Sequence, residues 1–210
     1  MKLSFVIPCY ASENTIESVV NEVIETVSQR PEFTYEIILV SDDSPDDVYS
    51  VIKKLAFENT NIKGIELAKN FGQHAALMAG FRHVSGDIVV CLDDDGQTPA
   101  NELFSLVDEV MNGKDIVYAK YLEKKHSLFR NFGSFVNERM SRAILNKPKD
   151  LSLMSYFACK RFIVDEAVSY ENPYPYVAGL LMRSTKNMGN VIVNHRERQS
   201  GSSEIGRAHV

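Results

Sequence analysis

Short apolar runs alternating with helical-period segments constrain this chain more than any other feature. LSFVI (3–7), YEIILVS (35–41), IKGIEL (62–67), DIVVCL (87–92) and DIVYAK (115–120) have the length and β-branched content of strands. Between the first two, Ile16, Val19, Val20, Val23, Ile24 and Val27 recur at helical spacing. Further helices are predicted near 46–57, over about 73–84 and over 101–112. A later one is expected around Met182, entered through the extended turn NPYPYVAG (172–179). Strands alternating with helices predict an α/β fold, a mostly parallel sheet with helices on both faces. Ligands of such sheets bind outside the carboxyl ends of the strands. Polar residues at those ends are therefore the site candidates.

The 210 residues suffice for one domain with a sizeable core. With 44% hydrophobic and 24% charged residues, the composition is that of a globular protein. No apolar run approaches the roughly 20 residues of a membrane span, and MKLSFVIPCY reads as a first strand rather than a signal peptide. Cys9, Cys91 and Cys159 are odd in number and lie in apolar stretches, which favours buried thiols over disulfides or zinc.

Four strand ends carry polar clusters. Pro8, Cys9 and Tyr10 end the first and precede Glu13; Ser41, Asp42, Asp43 and Ser44 end the second. The third leads through Lys69 and Asn70 to Gln73 and His74, where a helix cap and a donor-site role are both readable. The fourth, VVCLDDDGQTP, ends in Asp93, Asp94 and Asp95. Capping is the expected role of Asp46 and Thr98. It does not explain three adjacent aspartates, because one cap needs one carboxylate and three repel. A hard cation would hold them, and Mg²⁺ or Mn²⁺ also takes substrate phosphates as ligands.

VIPCYASENTI, VSDDSPDD, AKNFGQHAALMAGF and SGDIVVCLDDDGQTP, in that order, resemble the family 2 glycosyltransferases of GT-A fold. The nearest likeness is to the polyprenyl-phosphate sugar transferases, and it spans about residues 3–203. The resemblance implies inverting transfer from a nucleotide-diphosphate sugar to an acceptor, with Mg²⁺ or Mn²⁺ as cofactor. It assigns Pro8, Tyr10, Glu13 and Asp42 to the nucleotide and Lys69 to the diphosphate. Asp93-x-Asp95 resembles the DxD motif, with metal expected at Asp95 and Gln97 and with Asp93 close by; Asp94 and Gln73 are grouped with the donor site. His195 and Arg198 belong to a loop that closes over the diphosphate in relatives, and a core role is the alternative for His195. Asp93, Asp95 and Arg198 are the residues expected to carry catalysis.

Three departures from the family stand out. Ala11 replaces a usual Asn, and Ser41 and Asp43 depart from V-D-D-G-S. Where many relatives have an Asp-Phe-Arg-like stretch, this chain reads Met154-Ser155-Tyr156-Phe157, with Asp150 a few residues early. No catalytic base is assigned.

Residues 120–149 carry a net charge of +6 within a chain of −5. Leu128, Phe129, Phe132, Phe135, Val136, Met140 and Ile144 recur there at helical spacing. A core-facing helix with a basic solvated face is one reading. An amphipathic helix at an anionic membrane surface, gripping a lipid phosphate, is the other. Expected partners are thus a nucleotide-diphosphate sugar, polyprenyl phosphate and the cytoplasmic face of a bacterial inner membrane, in peripheral association. No nucleic-acid partner is expected, and homo-oligomerisation is left open.

The domain is expected to span 1–203. EIGRAHV (204–210) can be encoded by a string containing a common sequencing adapter. It is expected to be a non-native tail, with the natural chain continuing, transmembrane helices being one form of that continuation. Two other function classes compete. A nucleotidyltransferase would carry a Gly-rich basic loop after strand one, which PCYASEN does not match. A non-catalytic cation- or nucleotide-binding domain is the remaining alternative, as is transfer to a sugar hydroxyl of a lipid-linked or surface polysaccharide.

Overall fold

A computed structural model describes residues 1–121, 148, 151–194 and 196. In chain order the elements are β1 (Lys2–Cys9), α1 (Ile16–Ser28), β2 (Thr34–Ser41), α2 (Val48–Glu58), β3 (Ile62–Glu66), α3 (Gln73–Phe81) and β4 (Ile88–Cys91). A 3₁₀ turn (Ala100–Glu102) then leads into α4 (Leu103–Met111) and β5 (Ile116–Tyr121). After these come β6 (Phe157–Lys160), α5 (Arg161–Val168), α6 (Val177–Ser184) and β7 (Met188–Val193).

The strands form one sheet in the order β3-β2-β1-β4-β6-β5-β7. β6 runs antiparallel to both its neighbours, β4 and β5, while every other pairing is parallel. The predicted α/β class and mostly parallel sheet are thus observed.

Period-2 alternation sends each strand's residues to two cores. From β1, Leu3, Phe5 and Ile7 join one core with α1, α2 and α4, and Val6 joins the other with α3, α5 and α6. Helices therefore cover both faces. On the second face, α3 approaches β1 closely at Gly80, where an added Cβ would lie 2.5 Å from Val6 Cγ1. All three cysteines are buried and unpaired, and Met182 is buried on α6 as predicted.

The structure differs from the sequence reading at several points. β6, α5 and β7 carry no predicted counterpart. The helix predicted over 73–84 stops at Phe81, and the one predicted from 101 opens as a 3₁₀ turn. Neither expected cap forms well. Asp46 reaches the Val48 amide at only 3.4 Å, and its nearer partners are the Glu13 amide at 2.8 Å and the Ser44 hydroxyl. Thr98 is buried, and Pro99 stands at the N-cap of the 3₁₀ turn with no side-chain cap bond.

Candidate nucleotide-sugar site

Parallel pairing of β2, β1 and β4 brings their carboxyl ends to one edge, with Cys9 opposite Ser41 and Val6 opposite Cys91. The loops that follow are bolted together there. Ala11 donates its amide to Ser44 Oγ at 2.8 Å, and the Asp47 amide donates to Glu13 Oε2 at 2.9 Å. The Glu13 amide returns the bond through Asp46 Oδ2. Both loops pass through left-handed backbone, at Ala11 (φ 53°) and Asp43 (φ 50°). These are two of the positions where the sequence departs from the family pattern. The left-handed region favours Gly, Asn and Asp, so Asp43 tolerates its conformation while Ala11 is strained in its own.

Asp42 is buried, and both its oxygens accept backbone amides: Phe71 at 2.8 Å and Gly72 at 2.7 Å. Gly72, at φ 88° and ψ 158°, is the N-cap of α3. That backbone region is nearly exclusive to glycine. Asp42 thereby fixes the loop that carries Lys69, Phe71, Gln73 and His74. Lys69 itself is exposed, with its ammonium 4.9 Å from the centre of the Phe71 ring.

The aspartate triplet does not converge. Asp93 accepts Gln73 Nε2 at 3.2 Å on one oxygen and the Ser155 hydroxyl on the other. Asp94 turns towards β1, where its Oδ2 accepts the Tyr10 amide at 2.9 Å and its backbone oxygen accepts Thr15 Oγ1 at 2.7 Å. Burial pushes the Asp94 carboxyl up to about 6. Asp95 accepts the Gln97 amide at 3.0 Å across the turn at Gly96 (φ 74°). Distinct donors thus face the three carboxylates. Among the described residues, no three His, Cys, Asp or Glu side chains form a ready metal cage. Asp93 and Asp95 still fit the way Mg²⁺ or Mn²⁺ is commonly held, by one or two carboxylates with substrate phosphates completing the shell.

Beside Asp93, between the starts of α3 and α6, lies a pocket of about 210 Å³. Gln73, His74, Leu77, Tyr118, Ser155 and Tyr176 are among its lining residues. The His74 ring meets the Tyr176 ring edge-on, centroids 5.4 Å apart, and desolvation holds its imidazole pKa below the ordinary value.

On the opposite flank, Arg196 pairs with Glu22 of α1 at 2.8 Å and hydrogen-bonds to Asn101. Asn194 is held by Glu102 at 2.9 Å. These bonds fix Asn194 and Arg196 against α1 and the 3₁₀ turn. His195, Arg198 and most of the basic segment, residues 122–147 and 149, lie outside the described residues.

The structure thus brings Tyr10 to Asp94, Gln73 to Asp93 and Gln97 to Asp95, with Pro8 on β1 opposite Val40. Ser155, Tyr118 and Tyr176 were not singled out from sequence. Tyr118 carried a usable signal, a phenol among the apolar residues Ile116, Val117 and Ala119 of β5, where the hydroxyl needs a partner.

The glycosyl transferase family 2 pattern matches residues 4–169. The chain belongs to glycosyl transferase family 2. Among curated members of related sequence, the undecaprenyl-phosphate 4-deoxy-4-formamido-L-arabinose transferase of Aeromonas hydrophila is 31% identical over 210 residues, covering 99% of this chain. The Proteus mirabilis protein of the same name is 31% identical over 208 residues, covering 97% of the chain. This family 2 chain spans 64% and 62% of the lengths of those two relatives.

Solved structures agree on the fold. Glucosyl-3-phosphoglycerate synthase from Mycobacterium tuberculosis, in complex with Mn²⁺, UDP-glucose and phosphoglyceric acid, superposes with a TM-score of 0.69 at 20% identity, over 96% of this chain and 72% of that one. Mannosyl-3-phosphoglycerate synthase from Rubrobacter xylanophilus gives 0.69 at 14% identity, over 95% and 68%. This family 2 chain therefore has the GT-A fold. Among its described residues, no helix is long and apolar enough to cross a membrane.

Proposed function

We propose that this chain is the catalytic domain of an inverting glycosyltransferase. It moves a sugar from a nucleotide-diphosphate sugar to polyprenyl phosphate, at the cytoplasmic face of a bacterial inner membrane. The observation that supports the reading is the shared strand edge: Tyr10 follows β1, Asp42 follows β2, and Asp93 and Asp95 follow β4, at the edge where parallel-sheet folds take their ligands. The names of the curated relatives support the lipid-phosphate acceptor.

In this reading Pro8, Tyr10, Glu13 and Asp42 frame the nucleotide, partly through the loops they hold. Asp94 and Gln73 position that frame, and Lys69 faces the diphosphate. Asp95 and Gln97, with Asp93 alongside, would hold Mg²⁺ or Mn²⁺. When bound, the ion neutralises charge that develops on the departing diphosphate. His195 and Arg198 add positive charge from the C-terminal loop. The bond from the anomeric carbon to the diphosphate oxygen breaks as the bond to the acceptor oxygen forms on the opposite face. A phosphate oxygen is already anionic and needs no base. Ser155, rather than a carboxylate, stands against Asp93, which favours that acceptor over a sugar hydroxyl, where proton removal would be required.

The test is transfer of labelled sugar from a panel of nucleotide sugars, with Mn²⁺ and polyprenyl phosphate, by the full-length protein in membranes. Expected is a solvent-extractable, mild-acid-labile product that Asp95→Asn abolishes. An acid-stable glycoside instead would establish the hydroxyl-acceptor reading. Absence of any product, with wild-type nucleotide binding intact, would leave the chain a binding domain.

A further inference from the structure

We infer that the pocket beside Asp93 receives the donor's sugar and selects an uncharged one, bearing a hydroxyl or acylamino group that hydrogen-bonds to Tyr118. This selection rests on the nucleotide-sugar reading given above.

Tyr118 stands in the middle of β5 and is 1% exposed. Its hydroxyl is buried at the pocket wall, with no hydrogen-bond partner among the described residues. Buried phenols almost always find a partner, because an unpaired buried hydroxyl forfeits its hydration without return. A ligand group entering the pocket would supply that partner.

The position of the pocket ties it to the donor. Gln73 and Ser155 both line it, and both donate to Asp93. Pocket and carboxylate thus share a wall. A sugar whose diphosphate lies along Asp93 and Asp95 extends into this space.

The lining then defines the class of sugar. Among the described residues, it contains no Asp, Glu, Lys or Arg. A uronate, a free amine or a phosphorylated sugar would lose its water there and meet no counter-charge. Leu77, Phe157 and Leu181 supply apolar walls, which suit a deoxy carbon or an acyl methyl. A prenyl chain fits those walls but would leave the Tyr118 hydroxyl unpaired, so the sugar is the better occupant.

Calorimetry on the whole chain tests this. UDP, GDP and dTDP, each with Mn²⁺, first establish the preferred base. Three donors on that base are then compared: a hexose, an N-acetylhexosamine and a hexuronate. Wild type is expected to bind the first two at least 10-fold more tightly than the uronate. Tyr118→Phe should keep its affinity for the bare nucleotide and retain or raise its melting temperature. It should lose about 10-fold in affinity for the better of the two neutral donors. Ala178→Leu, which narrows the pocket without touching β5, should equalise the bare nucleotide and its sugars. Equal binding of uronate and neutral donors by wild type would overturn the inference, and so would an unchanged neutral-donor affinity in Tyr118→Phe. Failure of wild type to bind any of the three nucleotides would instead remove the donor-site reading itself, and this inference with it.

Discussion

The Asp42 carboxylate accepts the Gly72 amide at 2.7 Å, joining the end of β2 to the first turn of α3. Its second oxygen holds the Phe71 amide at 2.8 Å. A single buried acid therefore sets the course of the loop that delivers Gln73 to Asp93. Asp42→Asn would place an NH₂ group against one of two N–H donors. Stability is expected to fall by about 2 kcal/mol, within the range for hydrogen bonds to charged groups. Urea unfolding measures the loss, and amide exchange should accelerate at Phe71 and Gly72. Unchanged protection at both amides would show that the loop is held by something else.

At the opposite edge of the sheet, Glu36 is 3% exposed and receives Ser4, Ser85, Lys2 and Lys63. Burial alone would raise its carboxyl. The hydrogen bonds from Ser4, Lys63 and Ser85 outweigh burial and hold it well below the ordinary value of 4.5. The unfolded chain then takes up this proton first as the solution is acidified. Stability from Glu36 is present above about pH 4.5 and is lost as pH falls towards the depressed folded value. Chemical unfolding between pH 6 and pH 3 should show that decline. Glu36→Gln should be less stable at pH 6 and flatter across the range. A parallel decline in the variant would assign the acid sensitivity to other carboxylates.

Ala11 holds a φ of 53° while donating its amide to Ser44. A left-handed conformation costs an L-residue roughly 1–2 kcal/mol, and glycine adopts it freely. After allowing for glycine's larger entropy in the unfolded chain, Ala11→Gly is expected to gain about 0.5–1 kcal/mol. That corresponds to a melting temperature higher by roughly 1–4 °C for a domain of this size. A lower melting temperature would mean that the Ala11 methyl contributes more packing than its exposure suggests.

The first 120 residues were readable because most elements there carry a local signal, an apolar β-rich block or a helical repeat. LSFVI, YEIILVS and DIVVCL are β-rich blocks bounded by polar turns, and α1 repeats its valines on one face. The second half lacks that redundancy. β6 is the four residues Phe157–Lys160, and β7 includes Gly189 and Asn190. Neither length nor alternation marks them as strands. The placement of β6 between β4 and β5 depends on pairing distant in sequence, which no local pattern encodes.

At the candidate site, the sequence lists residues but not their directions. Asp93, Asp94 and Asp95 look alike in a row. Only the fold decides that one meets Gln73, the next the Tyr10 amide and the third the Gln97 amide. Asp93 and Asp95 are the carboxylates proposed to hold the divalent cation, with substrate phosphates completing its shell.

The reversed direction of β6 has an architectural consequence. β5 ends at Tyr121 on the edge that bears Asp93, and β6 begins at Phe157 on that same edge. The chain thus leaves β5 and re-enters the sheet at β6 on one and the same rim. Insertions, deletions or exchanges between these two points can leave every strand register intact. Such a layout lets evolution vary the connection from Tyr121 to Phe157 while the paired strands keep their frame.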